Sequence, residues 1–503
     1  MISKRLAATC LGAAVAFACL PALPASAATL DIAMDTSPSG LDPHIVTSFA
    51  SFQVIQGTIY EGLTRVDAKL AVEPSLAKSW KISDDGKTYT FDLRQDVKFH
   101  DGSAMTAKDV AASLKRVEDV DTGSPLASRI STVTSIETPD DHTVVLHLSE
   151  PTAPLLDALS SIAIVPAKYR KDTDTLQQTP EGTGPFKFVS WQQNVGIKLA
   201  ANKNYWKKGE PKLDGVNFDI VPEAATRQVG LTSDKYQMLP NIDASAALQL
   251  KGRPNVKLDD TVELSYTLLG MNVDRKPLGN PKVREAINYA INRGDLVKGA
   301  LFGAGVPAGP LSPALKNWAE PVSSFPCYSS NQDKARSLLK EAGVADGTQL
   351  TLLVLPRDDT RVMAQIIQQE LSAVGITVKL ESPEIGKFVQ DWRNSNFDLF
   401  ISANGGSADP DNYFYRTFHS GGSTNVFNYK NEQLDALLEK ARTQTDLAAR
   451  KKSYDTIQEM TACKGPVAFL TYAQLYTAMR SDVEGFTMRA DRSLSSLADV
   501  TLK

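Results

Sequence analysis

Past residue 280 the spacing of apolar positions switches between a period near four and a period near two. Val283, Ile287 and Ile291 recur at every fourth position with Ala286 and Ala290 beside them, which predicts a core-facing helix over 281–292. The same reasoning predicts helices at 332–342 and 361–374, and strands at 350–355, 376–380 and 397–402. Helix and strand in alternation read as an α/β unit with at least partly parallel pairing. The amino-terminal side is richer in strand patterns. TLDIAM alternates apolar and polar residues before Ser37, Pro38, Ser39 and Gly40 turn the chain, and TYTFDL and DVKF are two further β runs between 80 and 98. A helix is predicted at 107–117, where Val110, Leu114 and Val117 share a face and Thr106 stands at the cap position. More strands are expected at 143–148 and between 186 and 220. A charged, proline-bearing segment at 274–281 looks like a crossover between the two halves.

The first residues change this picture. Lys4 and Arg5 precede an apolar run over 6–20, followed by Pro21, Pro24 and the small-residue triplet Ala25, Ser26, Ala27 before Ala28. That order is a secretory signal peptide, 1–27, to be excluded from the fold. A membrane anchor needs roughly 20 apolar residues, and the prolines end this run too early. Cys19 raises a lipid-anchored alternative, but Phe17 and the lack of an aliphatic residue at 16 fit that signal poorly. A periplasmic product beginning at Ala28 is expected.

Charge and cysteines add two points. The net charge of −4 becomes more acidic once Lys4 and Arg5 are removed, and both signs are interspersed along the chain, which argues against a nucleic-acid partner. Cys10 and Cys19 leave with the signal. Cys327 and Cys463 then remain in an oxidising compartment, where an even pair suggests one disulfide, two buried free thiols being the alternative.

Catalytic and metal chemistry find little support. No GxSxG, HExxH, Walker or GxGxxG motif occurs, and GAGVPAG at Gly303 has the wrong glycine spacing. The five histidines are scattered, and the segment beginning at Asp409 starts like a calcium loop but has Phe414 and Ser420 where glycine and glutamate are needed. The strongest site candidate is the connection over 403–422, ANGGSADPDNYFYRTFHSGG, after the strand FDLFIS. Ligands of α/β units gather at the carboxyl ends of strands, and this segment offers glycines, Asn404, Ser407, Asp409, Asp411, Tyr413 and Tyr415 together. Twenty residues is long for a structureless connector. Trp392, in VQDWRNS, is a candidate pocket wall, with a core position as the alternative.

Four segments in order, NPKVREAINYAINR, YSSNQDKARSLLKEAG, QIIQQELSAVGITVKL and NEQLDALLEKARTQTDLAARKKSYDTIQEM, carry a family signature, and YEGLTRVD, AKSWKISDDGKTYTFDLRQDVKFHDG and GTGPFKFVSW continue it toward the amino terminus. Together they resemble the family 5 solute-binding proteins of ABC importers, carriers of peptides, nickel complexes, opines and some sugars. The resemblance implies an α/β, two-lobed periplasmic binding protein fold with a hinge and an additional inserted subdomain in the first lobe. Lobe I would comprise 28–60, 166–270 and 478–503, the inserted subdomain 61–165, and lobe II 271–477, with crossing segments near Met271 and Arg480. It also implies a small polar or zwitterionic solute, peptide-like or else an opine, sugar or chelated metal, held between the lobes, a membrane ABC permease as partner, a monomer, and no cofactor or catalysis. A periplasmic hydrolase of peptide-like substrates is the reading in another class. In similar dipeptide carriers an acid three positions before the Asp-Pro pair holds the ligand's ammonium, and here that position is Gly406, so Asp409 or Asp411 would have to take over. An arginine after the strand LTLLVLP would fork onto the ligand's carboxylate, which makes Arg357 and Arg361 candidates. Ser48, Phe49 and Asn272 follow from the family's cleft geometry alone.

Overall fold

A computed structural model describes residues 28–503. The expected signal peptide, 1–27, with Cys10 and Cys19, lies outside the described residues.

The molecule is organised around one strand. Val467–Arg480 runs through the middle of a 12-stranded sheet and pairs with strands on both sides of a crossing point. Its carboxyl half pairs with Val256–Val262, from Gln474 to Arg480, and with Met238–Ile242. Its amino half pairs with Tyr266–Met271, from Val467 to Thr471, and with Gly305–Pro307. Beyond these, one side of the sheet continues through Thr29–Met34, Gly215–Ile220, Gly196–Ala201 and Phe186–Gln192. The other continues through Leu399–Asn404, Thr348–Val354 and Ile376–Glu381, the last three joined in parallel. The chain therefore changes partner at 263–265 and again at 472–473. Met271 and Arg480 close their strands some residues away from those points.

The second half is α/β, as the alternating periods predict. Helix Pro281–Ala290 starts where Asn280 accepts from the Lys282 amide (3.0 Å) and proline occupies the first turn, where its missing N–H is not needed. It buries Val283, Ala286, Ile287 and Ala290 against a layer that includes helix Asp358–Ser372 and the parallel strands. Strand Tyr266–Met271 is buried at all six positions, the mark of a strand covered on both faces. Within it Gly270 is required, because a Cβ there would overlap the Phe400 ring.

A separate four-stranded sheet, built from Ala77–Ile82, Thr88–Leu93, Thr143–Leu148 and Val133–Asp140, packs on helix Ala107–Glu118 with its own core. A buried polar cluster anchors it to the first half. Arg116, fully buried, forks onto Asp42 (3.0 and 2.5 Å) and donates to the carbonyls of Tyr169 and Asp172. Its second partner, His44, is held neutral: burial drives its pKa down to about 4, its Nε2 donates to the Ala163 carbonyl (2.8 Å), and its Nδ1 accepts from Arg116 (2.9 Å).

The disulfide between Cys327 and Cys463 is present, with the Cα atoms 5.7 Å apart. Cys463 caps the carboxyl end of helix Leu447–Ala462, so the bridge fixes that helix to the short turn Pro326–Tyr328. The long connection expected over 403–422 is not one. Strand Leu399–Asn404 is followed by only six irregular residues before helix Asp411–Phe418. Phe414, Thr417 and Phe418 are buried at helical spacing, a pattern outweighed in the sequence by the flanking glycine pairs.

Candidate functional site

Where the strands change partner, a cavity of about 960 Å³ opens between the two halves of the sheet and the four-stranded subdomain. Five stretches converge on it: helix Phe49–Ile55 with its capping residue, helix Leu155–Ser161 of the subdomain, the crossing residues at 263–267, the loop at 403–408, and the carboxyl-terminal segment at 487–499. The volume matches what small-molecule sites commonly offer.

Six of the sequence candidates line it. Ser48 caps its helix by accepting from the Ser51 amide (3.3 Å), and Phe49 beside it is 40% exposed, with the Arg492 guanidinium 5.1 Å from its ring. On the opposite wall stand Arg357, Asn404, Gly406 and Ser407. Asn404 is oriented from behind, donating to the Tyr266 hydroxyl (2.9 Å) and accepting from Arg416 (2.7 Å). Arg357 is already forked onto Asp359, two residues along its own chain.

The structure places the other candidates elsewhere. Asp409 is buried and clamped by both terminal nitrogens of Arg450 (2.6 and 2.7 Å). Asp411, equally buried, faces Arg442 at 3.4 Å and the Tyr454 hydroxyl; burial drives its pKa up to about 6 despite Arg442, with Asp409 adding to the rise. Tyr413 points inward, stacked 5.8 Å from Tyr266 and donating to the Leu264 carbonyl (2.7 Å). Tyr415 lies between His419, at 4.4 Å, and Arg442, at 3.9 Å. Arg361 sits on the exposed face of helix Asp358–Ser372, bonded to Asp358 (3.2 Å). Trp392 packs edge-on to Phe400 in the core. Asn272 is buried, its amide donating to the carbonyls of Ser395 and Phe397.

Gly406 has a steric reason. A Cβ there would overlap the Tyr413 phenol and the Leu264 carbonyl, so the space an acidic side chain would use is filled by Tyr413.

Sequence reasoning missed much of the charge on the other wall. Arg489 forks onto Asp491 (3.0 and 2.6 Å) and donates to the Val66 carbonyl, which ties the carboxyl-terminal segment to the subdomain. Arg492 pairs with Glu263, whose pKa burial raises and the arginine holds in check. Glu61 accepts from Thr183 (2.8 Å), Tyr205 (2.7 Å) and Trp206 (3.2 Å), while burial raises its pKa. Asp157 faces the cavity from the middle of the apolar run PLLDAL, the one signal in the sequence that could have marked it.

The chain matches the model of bacterial extracellular solute-binding proteins, family 5, middle region, over residues 71–425. It is 29% identical to the dipeptide-binding protein of Escherichia coli (strain K12), over 92% of each chain. It is 31% identical to the glutathione-binding protein GsiB of Salmonella typhi, over 98% of this chain and 97% of that one. Among solved structures, HbpA2 from Haemophilus parasuis superimposes with a TM-score of 0.85 at 28% identity, covering 95% of this chain and all of the other. A cleft between two halves of a shared sheet, an added subdomain on one side, and these matches across nearly the full length place the chain in the bacterial extracellular solute-binding proteins of family 5, with their two-lobed α/β fold.

Proposed function

We propose that the chain is the substrate-binding component of an ABC importer, which takes up a small zwitterionic, peptide-like solute in the cleft and hands it to a membrane permease. The observation that carries this reading is the cavity itself: about 960 Å³, lined from both lobes and from the subdomain, with arginines and carboxylates facing inward. Its size accommodates a short peptide together with water. The dipeptide- and glutathione-binding relatives support a peptide-like cargo.

Ligand bridging both walls stabilises the closed arrangement by the difference between its affinities for closed and open forms, and only that difference drives closure. The protein acts in the periplasm as a monomer after cleavage behind Ala27. Native mass spectrometry of protein purified without unfolding should release an intact peptide-like molecule. A bound molecule without amino-acid units would sink the peptide reading, and steady hydrolysis of an added peptide would sink the carrier reading.

A further inference from the structure

The charges lining the cavity do not balance. Nine carboxylates face six cations. Five of those cations are spent on carboxylates of the same lining: Arg65 on Glu73, Lys207 on Glu210, Arg357 on Asp359, Arg489 on Asp491 and Arg492 on Glu263. Of the four carboxylates left, Glu61 is satisfied by its three donors, and Asp67 accepts the amides of Lys69 and Ala71, both at 2.8 Å. Asp157 and Asp499 remain, against Arg129 alone.

Asp157 is the better placed of the two. It sits on helix Leu155–Ser161, whose approach is tied to lobe II by the Ala153 amide donating to the Arg442 carbonyl (2.8 Å), so it stands where the subdomain and lobe II meet. Ser160, on the same turn, donates to the backbone carbonyl of Asp157 (2.7 Å) and not to its carboxylate. Among the described residues that carboxylate has no ion pair and no side-chain hydrogen bond. Meanwhile, among the described residues, the wall opposite has no free acid: Gly406 leaves no room for one, and Asp409 and Asp411 are held by Arg450 and Arg442.

Building on the carrier function assigned above, we propose that the cationic group of the ligand, a peptide α-ammonium or a basic side chain, seats on the Asp157 carboxylate. The ammonium anchor lies on the subdomain wall instead of on the lobe II loop. A cation there supplies the partner the folded protein lacks, and its bond to an ionised carboxylate gains strength from the low-dielectric surroundings.

The electrostatics support this placement. Burial holds the pKa of Asp157 up to about 7, and the charge of Asp409 adds to the rise. The charged groups facing it are Arg129 on its own subdomain, Asp409 and Arg450 from lobe II, and Asp491 from the carboxyl-terminal segment; the two arginines oppose the shift without cancelling it. In the free protein the group takes up a proton as pH falls through 7, whereas the cation-bound form requires it ionised. Cation binding is therefore coupled to proton release, and affinity should drop roughly tenfold per pH unit below 7.

Calorimetry on the full chain tests this with three probes: Ala-Ala, N-acetyl-Ala-Ala and N-acetyl-Ala-Lys. Asp157→Asn should weaken the cationic probe that uses the site roughly tenfold or more, leave N-acetyl-Ala-Ala unchanged, and abolish proton release at pH 6.5 measured in two buffers. Sensitivity of Ala-Ala identifies an α-ammonium, and sensitivity of N-acetyl-Ala-Lys alone identifies a side chain. The proposal falls if both cationic probes bind Asp157→Asn as tightly as wild type, or if proton release persists. If no peptide binds the wild type, the peptide reading fails by itself, and agmatine, which has no peptide bond, then decides: a wild-type thermal shift that Asp157→Asn removes keeps the cation site, and no shift overturns it. Asp157→Asn is not expected to lower the Tm of the free protein, because it removes a charge that burial disfavours.

Discussion

On the lobe II side of the cleft, Asp409 is locked between two nitrogens of Arg450 and Asp411 lies against Tyr454 and Arg442. On the subdomain side, Asp157 faces the cavity with no such partner. The first wall has spent its acids on holding its own shape, and the second has kept one in reserve. An acidic residue in a loop after a cleft strand is therefore weak evidence for binding until its partner is known. Arg450 is 41 residues from Asp409 in the sequence, and nothing local to the loop announces it.

The largest effect that would break this contrast comes from the clamp. Arg450→Met leaves Asp409 charged and buried, and should destabilise the protein by about 3–5 kcal/mol in chemical denaturation. A loss under about 1 kcal/mol would mean that Asp409 readily finds solvent and is free for ligand after all.

Next in size is the disulfide, which fixes the end of the helix that carries Arg450. Replacing Cys327 and Cys463 together by serine opens a link spanning 136 residues and should remove about 2–4 kcal/mol, with less lost if residual structure already constrains the unfolded chain. Equal stability of the double variant and the oxidised protein would show that the lobe II wall is held without it.

Rebuilding an acid on that wall is the sharpest intermediate test. Gly406→Asp must displace the Tyr413 phenol and break its bond to the Leu264 carbonyl, a strain of about 1–3 kcal/mol. Ala-Ala should bind this variant no better than wild type. Tighter binding at undiminished stability would return the anchor to the loop.

The smallest effect is a pH dependence. Asp411 has a folded pKa near 6, above its ordinary value, so its contribution to stability is complete below the unfolded pKa and is lost as pH rises through 6. Between pH 5 and pH 7 that amounts to about 1 kcal/mol, the amount by which Asp411→Asn should shrink the pH dependence in denaturation curves taken at both pH values, the share of Asp157 remaining. An unchanged slope would mean that Asp411 is paired as firmly as Asp409.

Most of the architecture was legible because it rests on periodicity. The stripe through Val283 and Ile287 and the parallel strands of lobe II each announce themselves within ten or fifteen residues. Ser48, Phe49 and Arg357, which line the cavity, were singled out by the family resemblance and not by a local pattern. Helix Asp411–Phe418 was obscured because two glycine pairs flank it, although Phe414 and Phe418 kept helical spacing. Asp157, Arg489 and Arg492 were not found because pairing and exposure are settled by residues far apart in sequence. Arg492 meets Glu263 across 229 positions, and Arg450, which faces Asp157 from lobe II, is engaged by Asp409.

The strand Val467–Arg480 makes the two lobes inseparable as objects of heredity as well as of mechanics. A gene fragment coding for either lobe alone would have to forgo half of this strand or carry the other half as a naked edge, open to pairing with any passing chain. Recombination can exchange the four-stranded subdomain, which has a sheet and core of its own, without touching that edge. Diversification of such a carrier is thus channelled toward the wall the subdomain contributes, while the wall built on the shared strand must be inherited whole.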